Sequence, residues 1–293
     1  MNCSPRTKTY QILVSTLNSM YWISALNSSN VRLQKISLMT DISNECYSNR
    51  MGRYLIYVLY LQLFLVSFLR AANVKFESKE LADKQFIESN KSWILERYKI
   101  LESYFHVDSK NSLNIQIMPV TENENFTSCA RIYGENRIYA HSPKSLKALK
   151  PDQRKKYNPF CFERDYEDLK YTLVHEYVHI LTLKQTKKNL PQWIWEGAAV
   201  ALSGQLDHTQ MGSSAKNKLK GKKELNICES SFLESDPYLI GGSVINFLES
   251  KSPGIAFELL QIQDLSDQKA IQKLLKQKKI SCLISTSEII AVI

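Results

Sequence analysis

Residues 165–183 read DYEDLKYTLVHEYVHILTL. Tyr166, Leu169, Leu173, Tyr177 and Ile180 recur at helical spacing, and Val174, Val178 and Leu181 widen the apolar surface. Asp168, Thr172, His175, His179 and Thr182 make a polar stripe of the same period. The pattern predicts a buried helix whose one polar stripe opens onto a cleft. Within it His175, Glu176 and His179 spell H-E-x-x-H. Residues four apart on a helix share a face and stand about 6 Å apart along the axis, so the two imidazoles can close on one tetrahedral zinc ion. Glu176 is turned by about 100° from His175, which aims it beside the metal at a water molecule rather than at the metal itself.

A chance H-E-x-x-H on a core helix is the competing reading, and residues 190–203, LPQWIWEGAAVALS, bear on it. Zinc in a catalytic site takes three protein ligands and keeps a fourth position open. Glu196 follows His179 after 16 intervening residues, enough to finish one helix, turn at Asn189-Leu190-Pro191 and enter a second. Pro191 suits a first helical turn, where its missing N–H costs nothing. Gly197, Ala198, Ala199 and Ala201 are small, so the second helix is expected to lie close against the first and deliver the short Glu196 carboxylate to the metal.

HEYVH followed by PQWIWEGAA resembles the gluzincin metallopeptidases, and among them the peptidase MA-like domains, which couple H-E-x-x-H to a later W-x-x-E-G-x-A. The close match covers roughly residues 165–204, with a looser echo at 237–250. The resemblance implies His175, His179 and Glu196 as zinc ligands and Glu176 as general base. Other zincins fit worse. A metzincin continuation needs Gly at 182 and His at 185, where the chain has Thr182 and Gln185; the aminopeptidase G-x-M-E-N strand has no counterpart; and position 200, acidic in thermolysin-type enzymes, is Val200. The carboxylate that orients one histidine must then come from elsewhere, with Asp168 and Asp207 as candidates. Related domains carry a Tyr-bearing helix where residues 236–250 read DPYLIGGSVINFLES, which makes Tyr238 the candidate donor to the tetrahedral oxyanion; a core tyrosine is the alternative.

The expected activity is zinc-dependent peptide hydrolysis, with Glu176 accepting a proton from the attacking water and passing it to the leaving amine. The missing aminopeptidase strand favours an endopeptidase acting on a peptide or protein substrate. Two other readings stand beside this one: a catalytically inactive zinc-binding surface or interaction module, against which the intact Glu176 argues, and a metal-free structural domain.

The formal charge is +9 over 293 residues, but it is not a nucleic-acid footprint. Residues 1–72 hold seven basic and two acidic side chains, which leaves +4 on the remainder. The main basic cluster there, 216–223 (KNKLKGKK), reads as a solvated linker. Residues 1–50 are polar and Ser/Asn-rich, and are expected to precede the true start of translation. Met51-Gly52-Arg53, the apolar run YLIYVLYLQLFLVSFL at 54–69 and Arg70-Ala71-Ala72 then read as a secretory signal peptide, with an uncleaved membrane anchor as the alternative. Residues 73–293 are thus expected to be one exported or extracytoplasmic zincin-like domain. Cys129, Cys161, Cys228 and Cys282 remain in it, either as two disulfides with three pairings open or as buried free thiols. Asn90-Lys91-Ser92 and Asn125-Phe126-Thr127 are glycosylation sequons.

The expected fold is α+β: a small N-terminal mixed or antiparallel sheet with a helix, followed by a mainly helical part that carries the H-E-x-x-H helix and the glutamate-ligand helix. A helix is expected at about 78–105, a half-buried strand at 113–120 and a hairpin at 130–140 around Gly134-Glu135-Asn136. In gluzincins the sheet's edge strand borders the cleft, and 137–141 would be that edge, able to take an extended substrate by strand addition. His141 beside it reads as an ordinary surface or loop residue. Residues 143–159 are expected to be a basic, Pro-punctuated loop and 205–234 a loop or flap. Helical character returns at 236–250, and 255–275 reads as two short helices split near Asp264.

Overall fold

The computed structural model describes residues 74–107, 112–120, 128–157, 160–186, 190–208, 210–229, 233–262 and 268–293. The expected leader and signal segment lie outside the described residues. The chain runs β1 (Val74–Ser78), α1 (Leu81–Tyr104), β2 (Leu113–Met118), β3 (Ala130–Ile132), β4 (Arg137–His141), then the short helices α2 (Pro143–Lys147), α3 (Pro151–Arg154) and α4 (Phe160–Glu163). The helical part follows: α5 (Tyr166–Gln185), α6 (Gln192–Ser203), α7 (Gln205–His208), α8 (Gln210–Leu219), strand β5 (Glu224–Asn226), a π-helix (Pro237–Gly241), α9 (Gly242–Lys251), α10 (Ile255–Gln261), α11 (Gln268–Gln277), β6 (Leu283–Ser285) and α12 (Thr286–Ile290). The architecture is mixed α/β, with a small sheet and many helices. No helix among the described residues is long and apolar enough to cross a membrane.

The sheet has the order β1-β2-β4-β3, with β1–β2 and β2–β4 parallel and β3–β4 antiparallel. Leu113, Ile115 and Ile117 alternate inward along β2 as the period-2 pattern requires. The hairpin at 130–140 forms as expected, with Gly134 at φ +64° in its turn. The edge, however, is not 137–141. The antiparallel return of β3 caps that side, so β4 is an interior strand and Ala130–Ile132 forms the border. Ser78 ends a strand, β1, that the apolar pattern did not separate from the following helix.

Helix α5 runs through the centre. Every residue from Tyr171 to Thr182 is buried. Its start is fixed by Asp165, whose Oδ1 accepts from the backbone N–H of Glu167 (2.8 Å) and Asp168 (3.1 Å). Asp168 answers by accepting from the Asp165 N–H, closing a capping box. Helix α1 lies along α5: Tyr98 stacks on Tyr177 with centroids 3.9 Å apart, and its hydroxyl donates to the Leu173 carbonyl at 3.1 Å. Ile94, Tyr98 and Leu101 of α1 face the core, while Ile100 is turned away from it and exposed.

Two expected loops are ordered as helices. Within 143–159, Pro143 and Pro151 each begin a short helix, their fixed φ suiting a first turn. After Gly204, which closes α6 at φ +81°, the stretch expected as a flap folds into α7, α8 and β5. Strand β5 pairs antiparallel with β6 from the C-terminal tail, and the Cys228–Cys282 disulfide staples this second sheet. The other bridge joins Cys129, beside β3, to Cys161 in α4.

Candidate metal centre

α5 and α6 bring three donors to one point. His175 Nε2 stands 3.2 Å from Glu196 Oε2 and 3.1 Å from His179 Nε2, and Glu196 Oε2 stands 3.3 Å from His179 Nε2. Donors placed about 2.0–2.1 Å from a zinc ion at tetrahedral angles stand about 3.3–3.4 Å from one another, so the triangle has the size of one face of such a site. Its electronics agree. The Gln205 side-chain oxygen lies 3.0 Å from His175 Nδ1 and accepts a hydrogen bond from it, which leaves a bare lone pair on His175 Nε2. That lone pair faces a carboxylate oxygen and another imidazole nitrogen in a buried spot, with both histidines about 5% exposed. Three electron-rich atoms so close repel one another unless a cation or a proton sits among them. The donor set therefore fits a divalent metal of the nitrogen- and oxygen-binding kind.

The partner of His175 corrects one expectation. Neither Asp168 nor Asp207 bonds a histidine of this triad among the described residues; the amide of Gln205, on α7, does. The reason is the left-handed turn at Gly204, which directs α7 back over α5 and aims Gln205 inward while Asp207 points out to solvent. His179 Nδ1 has no hydrogen-bond partner among the described residues, and its ring is held instead by Trp195, stacked at 4.3 Å with planes 9° apart.

Glu176 lies in the same cleft and is buried. Burial pushes its carboxyl above the ordinary value, against the pull of His179 and His175. Glu196 goes the other way. Burial raises it, but the hydrogen bonds and charges of His175 and His179 outweigh that and hold it well below the carboxylate range. The two glutamates are thus pushed apart: one is a firm anion facing the imidazoles, the other a carboxyl readier to carry a proton.

Tyr238, at the start of the π-helix, lies over His175 with ring centroids 6.2 Å apart. Burial, the charge of Glu196 and hydrogen bonding to it push the phenol above its usual value, so it stays a donor. What brings it there is a backbone crossing. A Cβ on Gly197 would lie 2.7 Å from the Gly241 carbonyl carbon, and a Cβ on Gly242 would lie 2.6 Å from Val200 Cγ1. Gly197 was expected to ease α6 against α5; its tight neighbour is the π-helix instead.

The cleft encloses about 330 Å³. Its walls include Ala130, Arg131 and Ile132 of β3, Arg164, Met211 and Ser214. His141 does not line it; it is buried at the end of β4, edge-on to Tyr157, rather than on the surface. His208 stacks on Tyr171, and His106 packs against Phe257. Gln205, Trp195 and Arg164 carried no signal in the motif. Trp195 and Arg164 had positional ones, since Trp195 directly precedes Glu196 and Arg164 directly precedes the helix cap Asp165. Compared with known proteins, the chain matches no family model, no curated protein and no solved structure.

Proposed function

We propose that this protein is an exported zinc-dependent peptidase of zincin-like architecture. The observation that carries the reading is the convergence of His175, His179 and Glu196 at 3.1–3.3 Å, with Glu176 in the same cleft and outside the triangle. His175 and His179 supply neutral nitrogen ligands, Gln205 and Trp195 fix their rings, and Glu196 supplies the charge. Zinc so held would polarise a substrate carbonyl and acidify a water molecule. Glu176 takes that water's proton and passes it to the leaving amine; its raised pKa suits both halves of the transfer. Tyr238, whose ring lies over His175, donates to the oxyanion. The outer edge of β3 pairs with no strand among the described residues, and it offers an extended peptide a place to add beside the cleft. Two disulfides agree with an oxidising compartment.

The test is a peptide-library digest with and without chelator, run beside metal analysis of the purified protein. One zinc per chain and chelator-sensitive cleavage are expected. Glu176→Gln should keep the zinc and lose at least about a hundredfold in rate. Cleavage undiminished in Glu176→Gln would sink the mechanism. Zinc without cleavage would instead indicate the inactive binding module.

A further inference from the structure

Arg164 has no job in the chemistry above, yet it lines the same cleft. It sits between the Cys129–Cys161 bridge and the helix cap Asp165, so its backbone is held on both sides. Its Nη1 donates to Thr172 Oγ1 at 2.6 Å, two turns along α5. Thr172 in turn spends its own hydroxyl proton on the Asp168 carbonyl at 3.1 Å, so it presents a lone pair to the guanidinium. The side chain is thereby laid along the polar stripe towards Glu176. No other hydrogen bond and no ion pair of Arg164 occurs among the described residues. A guanidinium carries five N–H donors, and the Thr172 bond uses one of them. Burial costs the cation, and the nearby charges of Asp168 and Glu176 offset that only from a distance.

We propose that Arg164 is a specificity-determining residue that binds a carboxylate of the substrate next to the bond being cut. The inference rests on the peptidase reading and names the substrate class for it. A planar fork with unspent donors matches a carboxylate better than any other peptide group, because two parallel N–H···O bonds form at once. The cleft's balance agrees: Arg131 and Arg164 with a bound dication outweigh the three carboxylates Asp168, Glu176 and Glu196. An acidic side chain and a free C-terminus offer the same two oxygens.

The test is equilibrium binding, so it does not depend on turnover. Zinc-loaded Glu176→Gln full-length protein is titrated calorimetrically with three N-acetylated tetrapeptides: one with a free C-terminal acid, one amidated with a Glu side chain, and one amidated with Gln in its place. A carboxylate-bearing peptide should bind about ten- to a hundredfold more tightly than the carboxylate-free one. Which of the two wins identifies the source. Adding Arg164→Gln should erase the difference at unchanged zinc content, and Arg164→Lys, which keeps the charge without the fork, should recover part of it. Lys also covers the case in which Gln unfolds the chain. Equal or undetectable binding of all three peptides overturns the proposal, as does a carboxylate preference that survives Arg164→Gln, since metal or Arg131 would then be the anchor. Whether the wild-type protein cleaves these peptides is a separate readout, and failure there counts against the peptidase reading alone.

Discussion

Gly197 and Gly241 meet backbone to backbone: a Cβ built on the first would stand 2.7 Å from the carbonyl carbon and 2.9 Å from the carbonyl oxygen of the second. This contact joins the helix that carries Glu196 to the π-helix that carries Tyr238, so one crossing sets the spacing of two groups in the cleft. Gly197→Ala gains about 1 kcal/mol of helix propensity. Against that, backbone atoms cannot swing aside as a side chain can, and overpacking costs about 1–3 kcal/mol. The expected net result is a lower melting temperature and a weaker zinc affinity. A variant that melts higher than the parent would mean the crossing is looser than described.

Loading the site should stabilise the fold. At a zinc concentration a hundred times the dissociation constant, linkage adds about 2.7 kcal/mol. A thermal melt with and without zinc should reveal this as an upward shift in the wild-type protein. His175→Ala, His179→Ala and Glu196→Gln should each abolish or sharply reduce it. A full zinc shift in Glu196→Gln would remove that residue from the ligand set.

Gln205 orients His175 through a 3.0 Å hydrogen bond, so its loss frees the ring to turn and to change tautomer. Gln205→Ala should weaken zinc binding by about ten- to a hundredfold, the usual effect of removing an outer partner of a metal-bound histidine. Competition with a chromophoric chelator measures it. Gln205→Glu, which keeps an acceptor oxygen in place, should restore most of the affinity.

Tyr166 donates to the fully buried Asp83 at 2.7 Å, and Ser142 donates to the same oxygen at 2.8 Å. The triad ties α1 and the end of β4 to the first turn of α5. Tyr166→Phe should cost about 1.5–3 kcal/mol in denaturant unfolding, because the lost bond has a charged acceptor. Burial, opposed by the Ser142 contact and reinforced by Asp83, pushes the Tyr166 phenol up to about 12. An unfolded tyrosine ionises near pH 10, so between pH 10 and 12 the unfolded chain binds fewer protons than the native one. This share of stability is therefore complete below pH 10 and fades as pH rises towards 12. Tyr166→Phe should be less sensitive to pH across that window.

The central helix and the three donors were legible because each announces itself locally. The 3.6-residue period of Leu169, Leu173, Tyr177 and Ile180 needs no knowledge of the rest of the chain, and H-E-x-x-H is fixed by helix geometry. Glu196 required only a turn and a second helix. What was hidden depends on pairing between distant segments. Nothing in ARIYGENRIYA tells which of the two hairpin strands joins β2, so the border was placed on 137–141 when it falls on 130–132. Gln205 lies just past a left-handed turn whose direction periodicity does not encode. The helices within 143–159 and 205–219 are short or polar, and they take their order from contacts rather than from an apolar stripe. The cysteine pairings, 129 with 161 and 228 with 282, were one of three arithmetical choices.

Helix α5 is buried over twelve successive positions, from Tyr171 to Thr182, and meets open space only where Thr172, His175, Glu176 and His179 line the cleft. Such an element tolerates little drift, since any enlargement meets a neighbour and any shrinkage opens a void. Freedom to change is greatest at the jaws around it, at places such as Met211 and Ser214, which line the cleft from α8. On the peptidase reading, retooling this protein for a different substrate would begin at those jaws and leave the His175, His179 and Glu196 cluster untouched.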